Sequence, residues 1–542
     1  MFKVVTTEEM RRIEQAADAG GLTYDQMMAN AGAAIAEAVL ERWLDMEGAR
    51  VVILVGPGNN GGDGLVVGHH LLEAGADIHA YLSHERSEAE DHNYASLTNA
   101  GARITLAAED DGSEILSSAV EEADLIVDAL LGTGIKLPLR GTPEEILSGT
   151  NGALKERDLK PYIVAVDCPS GLDCDTGEIA EESLSADLTV TLAAAKPGLF
   201  IFPGAAAVGE LEVGSIGVSA DLPEMKAVDH LLAEEALVRD WLPERPLNAH
   251  KGTFGHVVAV AGSINFPGAA ALAAIGAYRS GAGLVTLAVP SVIQSFLVSG
   301  LPEVTWIALP HEMGAISKAA AGVLHSELEG VDALLIGPGF GRDATTKAFL
   351  EELLCAELAV RSREIGFVSS ENGRSESQIP PSVIDADGLK LLSEIDDWHK
   401  LLIETAVLTP HPGEFAIMTG LSIAEILEDR AKFVREYARK WGHVIVLKGA
   451  FTLVAAPGGR LVTIPIATPA LATAGTGDVL AGVILALRGQ GLGAFEAAVV
   501  GAYLHARAGE IAAMDFGSDA SVIASDVAEY LAFVFAELTA VI

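Results

Sequence analysis

The chain has 542 residues, half of them apolar, and 75 acidic residues against 35 basic ones give it a formal net charge of −40. That length predicts two or more domains with sizeable cores, and that charge argues against nucleic acid or an anionic membrane surface as a partner. The three cysteines, Cys168, Cys174 and Cys355, are too few for a disulfide framework and fit a reducing cytosol, so a cytoplasmic protein is expected. No apolar signal core opens MFKVVTTEEMRR, and the longest small-and-apolar region, Phe266 to Pro290, is broken by Arg279 and glycines, so no membrane span is expected.

In chain order, Thr7 opens a helix-start pattern running to about Ala17, and a second helix is predicted from Tyr24 to Trp43. Val51–Val55 is a continuous apolar run, the pattern of a buried parallel strand. It feeds a glycine-rich loop, Gly56 to Gly64, with a helix expected from Leu65 to Leu72. Strand, glycine-rich loop and helix form the βα unit whose backbone amides cradle phosphate, and five glycines with two Asn and one Asp exceed what a turn needs. Two further strands, Asp124–Leu130 and Tyr162–Val166, run into Gly132–Pro138 and into Asp167-Cys168-Pro169-Ser170. The polar residues after these strands are therefore expected on one rim, where oxygen ligands suit a hard cation. Closing strands are read at Ala186–Thr191 and Gly209–Val213, with Lys196 in the loop between them. Ser219–Val228 is read as a linker, and Leu231–Leu237 as the first short helix of the next domain.

The second half repeats a strand–loop–helix rhythm, the signature of a layered α/β domain. Strands end at Gly262, Pro290, Gly337-Pro338-Gly339, Asp385-Ala386-Asp387, Thr409-Pro410-His411 and Lys448. The last loop, Ala474-Gly475-Thr476-Gly477-Asp478, opens an apolar helix. Its glycines and the helix dipole favour an anion there. Asp478 is either a cap or a base beside a bound phosphate, and His411 either caps the next helix or meets a ligand.

The motifs MMANAG, GPGNNGGDG, VDALLGTGIKLPLRG, AVDCPSGLDCDTG and ADLTVTLAAAKPGL are similar to the NAD(P)H-hydrate epimerase family over residues 1–220. The resemblance implies a Rossmann-like domain that interconverts the C6 epimers of hydrated NADH and NADPH. Asn59, Asn60, Gly61, Gly62 and Asp63, with Gly132, Thr133, Gly134, Ile135, Lys136, Leu137 and Pro138, would touch the hydrated nucleotide. Asn60, Asp128 and Ser170 would hold a potassium ion, and Asp167 would serve as acid/base at the nicotinamide ring. Ala29 stands where that family usually has Glu.

The motifs HKGTFGHVVAVAGS, GAYRSGAGLVTLAVP, LLIGPGFGR, VIDADGL, LTPHPGEF, VLKGAFTLVA and ATPALATAGTGDVLAGVI resemble the ADP-dependent NAD(P)H-hydrate dehydratases of the ribokinase-like superfamily, over residues 228–542. By that resemblance Ala282, Gly283, Gly339, Gly341 and His411 would meet the hydrated nucleotide. Lys448, Gly449, Ala450, Phe451 and Thr452 would hold ADP, as would Thr468, Pro469, Ala470, Leu471, Ala472, Thr473, Ala474, Gly475, Thr476 and Gly477. Asp478 would take the proton of the reacting hydroxyl, with Mg²⁺ on the nucleotide phosphates. Ala474 and Ile417 depart from the usual Gly and Arg. A homo-oligomer is expected, since such assemblies are common among proteins resembling this half. The alternatives are a small-alcohol kinase with an accessory nucleotide-binding domain and a non-catalytic scaffold.

Overall fold

The structure, a computed structural model, describes residues 2–43, 45–364, 379–402 and 405–540. The chain divides into two compact units, Phe2–His230 and Leu231–Ile542. Both are layered α/β folds.

In the first unit, apolar runs such as Val51–Val55 are buried on both sides, as a parallel sheet requires. Among the described residues the sheet comprises β1 (Arg50–Val55), β2 (Asp77–Leu82), β3 (Arg103–Leu106), β4 (Leu125–Ala129), β5 (Tyr162–Val166), β6 (Leu188–Leu192) and β7 (Glu210–Gly214). The strand order is β3-β2-β1-β4-β5-β6-β7, and the pairings are parallel. This is the Rossmann-like order, and the crevice where it reverses lies between β1 and β4. Helices α1 (Thr7–Ala19) and α2 (Tyr24–Arg42) both begin with capping boxes, Thr6 with Glu9 and Thr23 with Gln26.

Two expectations are corrected here. The helix after β1 begins at Asn59, not Leu65: α3 spans Asn59–Glu73, so the loop is only its first residues. The glycines serve close packing of that helix. A Cβ on Gly61 would lie 2.1 Å from the Gly56 carbonyl oxygen, and one on Gly64 would lie 2.4 Å from Ala129 Cβ. The segment read as a linker, 219–228, belongs to the first unit: Pro223–Lys226 forms a helical turn, and Met225 and Val228 are buried among the side chains of α1.

The second unit carries β8 (His230–Leu232), β9 (His256–Val260), β10 (Leu284–Pro290) and β11 (Thr305–Leu309), then a small antiparallel pair, β12 (His311–Glu312) and β13 (Ala315–Ile316). β14 (Ala333–Ile336), β15 (Ser382–Ile384), β16 (Val407–Leu408), β17 (Val444–Leu447), β18 (Leu453–Ala455) and β19 (Leu461–Thr463) follow. The main sheet runs β11-β10-β9-β14-β15-β16-β17-β18-β19-β8. The stretch 231–237 is thus not one helix. Its first residues extend β8 at the sheet edge, and the helix is Glu235–Trp241.

Helices α4 (Pro267–Arg279), α5 (Pro412–Thr419), α6 (Arg430–Trp441), α7 (Thr476–Gly489) and α8 (Ala494–Phe516) flank this sheet. α4 and α7 meet backbone to backbone. A Cβ on Gly482 would lie 2.1 Å from the Ala273 carbonyl oxygen, and one on Gly276 would lie 2.6 Å from that of Val479.

Candidate active sites

In the first unit, strand ends bring the predicted cation residues together at the crevice. Ser170 Oγ donates to Asp128 Oδ1 at 2.5 Å, and the Ser170 amide donates to Asp128 Oδ2 at 2.8 Å. Asn60 Nδ2 reaches the Leu131 carbonyl at 3.0 Å. Burial raises the Asp128 carboxyl against the hydrogen bonds from Ser170 and Leu130, and among the described residues no cation pairs with it. A buried carboxylate, a hydroxyl, a carbonyl and an amide form an all-oxygen donor set, which fits a hard monovalent cation. Among the described residues, no group of three His, Cys, Asp or Glu converges as a metal cage. An open cleft of about 500 Å³ beside this cluster is lined by Leu131 and by Gly134 to Arg140.

Asp167, just past β5, has φ +64°, a left-handed conformation that Asp tolerates and that turns its side chain off the strand line. Its Oδ1 accepts from the Leu192 amide at 2.9 Å, from Thr191 Oγ1 at 3.1 Å and from Lys196 Nζ. Lys196 is 1% exposed and also donates to Thr191 Oγ1 and the Leu192 carbonyl. The sequence placed Lys196 in a loop and missed this role. Asp63 is 7% exposed, and its carboxyl is held well above the usual carboxylate range by burial, then by the charges of Asp167 and Glu14.

In the second unit the polar residues after β15, β16 and β17 converge. Lys448 Nζ lies 2.8 Å from Asp385 Oδ1 and 3.9 Å from Glu414 Oε2. Thr409 Oγ1 donates to the same Asp385 oxygen at 2.7 Å. Lys390 Nζ pairs with Asp387 at 3.1 Å and with Glu414 at 3.3 Å. Burial works to lower the Lys448 ammonium, but Asp385 and Glu414 outweigh it and the net shift is upward. Asp385, Asp387 and Glu414 lay inside quoted motifs, and Lys390 directly follows one, but none was chosen as a site residue. The available signal was their position at consecutive strand ends.

Asp478 stands in the first turn of α7. The N-cap of that helix is Gly475, with φ +96° and no side-chain capping bond. Asp478 is the acidic residue of that first turn, where the helix dipole favours a negative charge, and among the described residues no hydrogen bond joins its carboxylate to the helix-start amides. Burial pushes its carboxyl up to about 7, with Asp385 adding to the rise and Lys448 opposing it. A Cβ on Gly477 would sit 3.4 Å from Lys448 Nζ, so the lysine faces the amides at the helix start. For His411, the capping alternative holds. Its Nδ1 accepts from the Gly413 and Glu414 amides at 3.0 and 3.3 Å, while Nε2 lies 3.4 Å from Glu414 Oε1.

Arg430, on α6, is another residue the sequence did not single out. Its guanidinium donates to the Ala450 carbonyl at 2.8 Å and to those of Leu447 and Phe451 at 3.4 Å, fastening the 448–452 loop from beneath. His505 on α8 bonds the Thr476 carbonyl at 2.8 Å, and burial lowers it to about 4, so it is a neutral donor.

Residues 24–198 match the family described as YjeF-related protein N-terminus, and residues 257–361 and 370–532 match the NAD(P)H-hydrate dehydratase family. The chain is 38% identical over 547 residues to the bifunctional NAD(P)H-hydrate repair enzyme Nnr of Moorella thermoacetica, covering 99% of this chain and 97% of that one. The chain belongs to the bifunctional NAD(P)H-hydrate repair enzyme family. The relative of the same name in Escherichia coli is 33% identical, over 94% of this chain and 90% of that protein. Among solved structures, the ADP/ATP-dependent NAD(P)H-hydrate dehydratase from Bacillus subtilis, co-crystallized with ATP/Mg²⁺, is 29% identical. It covers 58% of this chain and 100% of its own, with a TM-score of 0.45. The two family matches fall one in each compact unit. Among the described residues, no helix is long and apolar enough to cross a membrane.

Proposed function

We propose that this chain repairs hydrated NADH and NADPH (NADHX and NADPHX). The first unit, Phe2–His230, would epimerise C6 of the hydrated ring, and the second, Leu231–Ile542, would carry out its ADP-dependent dehydration. The observation that carries the reading is Asp478: a half-buried carboxyl pushed up to about 7 by desolvation, at a glycine-rich helix start facing Lys448. A base tuned near neutral pH suits removal of a hydroxyl proton.

In the dehydration, Asp478 takes the proton of the C6 hydroxyl. That oxygen attacks the β-phosphorus of ADP, and AMP leaves with the electron pair of the broken P–O bond. Lys448 and the amides of Gly475 to Gly477 stabilise the transferring phosphoryl group. The ring nitrogen then expels phosphate, C5 gives up a proton, and NAD(P)H is restored. Hydroxide alone is a poor leaving group, and the phosphoryl group removes that barrier. Arg430 supports the 448–452 loop on the nucleotide side. Asp385 and Glu414 already face Lys448 and Lys390, so Mg²⁺ would ride on the nucleotide phosphates and neutralise their charge.

In the first unit, Asp167 is the acid/base at C6, and Asn60, Asp128 and Ser170 would hold K⁺, a fixed positive charge beside the nucleotide. Association of copies is supported by exposed Met514, Phe516, Ile523 and Phe533 on and between the last helices. The test is recovery of NADH absorbance from an epimer mixture of hydrated NADH with Mg²⁺ and ADP. Turnover of a small alcohol with ATP instead would favour a kinase.

A further inference from the structure

Four ionisable side chains from separate elements meet in the first unit: Glu14 on α1, Asp63 on α3, Asp167 after β5 and Lys196 after β6. Three are carboxyls and one is a cation. The cation is fully committed, since its three protons go to Asp167, Thr191 Oγ1 and the Leu192 carbonyl. Asp63 is more than nine-tenths buried, and its carboxyl has no hydrogen-bond or ion-pair partner among the described residues. Little solvent is left to stabilise a second negative charge there, and the nearby charges of Asp167 and Glu14 oppose it, against the weaker pull of Lys196. Asp167 differs in kind. Its Oδ1 takes three donors, while Oδ2 takes none among the described residues. Two carboxyls share one enclosure, one with donors to hold a charge and one without. Such pairs divide acid and base roles.

We propose that Asp63 is a second catalytic carboxyl of the epimerase site, donating a proton to the departing C6 oxygen while Asp167 receives one from the arriving water. The proposal rests on the epimerase reading of the first unit.

The Asp63 proton passes to the C6 hydroxyl. The C6–O bond breaks, its electron pair leaves with water, and the ring-nitrogen lone pair forms a C6=N1 iminium. A second water gives its proton to Asp167 Oδ2 and bonds to the opposite face of C6, and the electron pair returns to nitrogen. No oxidant or reductant is involved. The two carboxyls end with their protonation exchanged, so the same pair runs the reaction in reverse from the other epimer. Burial raises the Glu14 carboxyl, with the Lys196 ammonium opposing the rise and the Asp167 charge adding to it. The C6 oxygen is replaced at every turnover.

The test uses the full-length chain with purified single epimers of hydrated NADH in water labelled with heavy oxygen. The wild type is expected to epimerise with label entering C6 once per turnover, and its rate should be bell-shaped in pH, since one carboxyl must be protonated and the other not. Asp63→Asn is expected to lower epimerisation by roughly 10²–10⁴-fold while keeping the wild-type melting profile. Asp63→Glu should restore part of the rate and the acid-carrying limb of the pH profile. Retention of the original oxygen in the wild type would overturn the proposal. So would an Asp63→Asn enzyme within about threefold of the wild type, or one that is slowed but keeps both pH limbs. A wild type that does not epimerise at all would instead overturn the function assigned to the first unit.

Discussion

Lys448 Nζ sits 2.8 Å from Asp385 Oδ1, and this buried pair acts in opposite senses on Asp478: Asp385 raises that carboxyl and Lys448 lowers it. The base of the second unit is therefore set near 7 by burial and the charges of Asp385, Asp387 and Glu414, opposed by Lys448.

Asp478→Asn removes the base. Dehydration of hydrated NADH should fall roughly 10²–10⁴-fold with little change in the ADP concentration needed for half-saturation. The wild-type rate should rise with pH through about 7, because only the ionised carboxylate accepts the proton. A flat profile from pH 5 to 9 would contradict the assignment (about two units either side of that value).

Asp385→Asn and Lys448→Met should move that limb in opposite directions. Without the Asp385 charge, Asp478 ionises more readily and the limb shifts to lower pH. Without the ammonium, it shifts to higher pH, and ADP binding weakens as well. Initial rates across pH with saturating substrate read both effects.

Arg430 is half-buried, desolvation lowers its guanidinium to about 10, and it donates to the carbonyl at the end of β17 and to two in the loop that follows. Arg430→Met leaves those carbonyls without their donor, at about 1–3 kcal/mol for each that stays buried. The KM for ADP should rise by tenfold or more while kcat falls less. Arg430→Lys should rescue little, since an ammonium lacks the planar fork.

Gly482→Ala should destabilise the second unit alone by roughly 1–3 kcal/mol, because the new methyl would meet the Ala273 carbonyl. Calorimetry of the full chain should show one transition lowered and the other unmoved.

Asp128→Asn should abolish any dependence of epimerisation on K⁺, and Ser170→Ala should weaken it. Replacing K⁺ by Na⁺ should slow the wild type and leave Asp128→Asn unaffected. Titration of each protein with K⁺ while following epimerisation checks this.

Much of this architecture was legible because parallel strands buried on both faces leave unmistakable runs, such as Val51–Val55 and Val444–Leu447, each followed by its polar loop. What escaped depended on tertiary enclosure. Lys196 looks like any loop lysine until the chain after β6 folds its ammonium against Asp167. Asp385 and Glu414 become partners only when β15, β16 and β17 lie side by side. The glycines after β1 read as a loop, yet they allow a helix to start within contact of its neighbours. At 231–237 a short stretch, apolar at Leu231 to Ala233 and acidic at Glu234 and Glu235, divided between strand and helix, because a sheet edge was there to take its first residues.

The most direct test of the account is recovery of NADH absorbance from a mixture of both epimers of hydrated NADH, with the full chain, Mg²⁺, K⁺ and ADP. Complete recovery in step with release of AMP and phosphate is the predicted result. Recovery of only one epimer would contradict the function assigned to the first unit, and no recovery with either ADP or ATP would contradict the account as a whole.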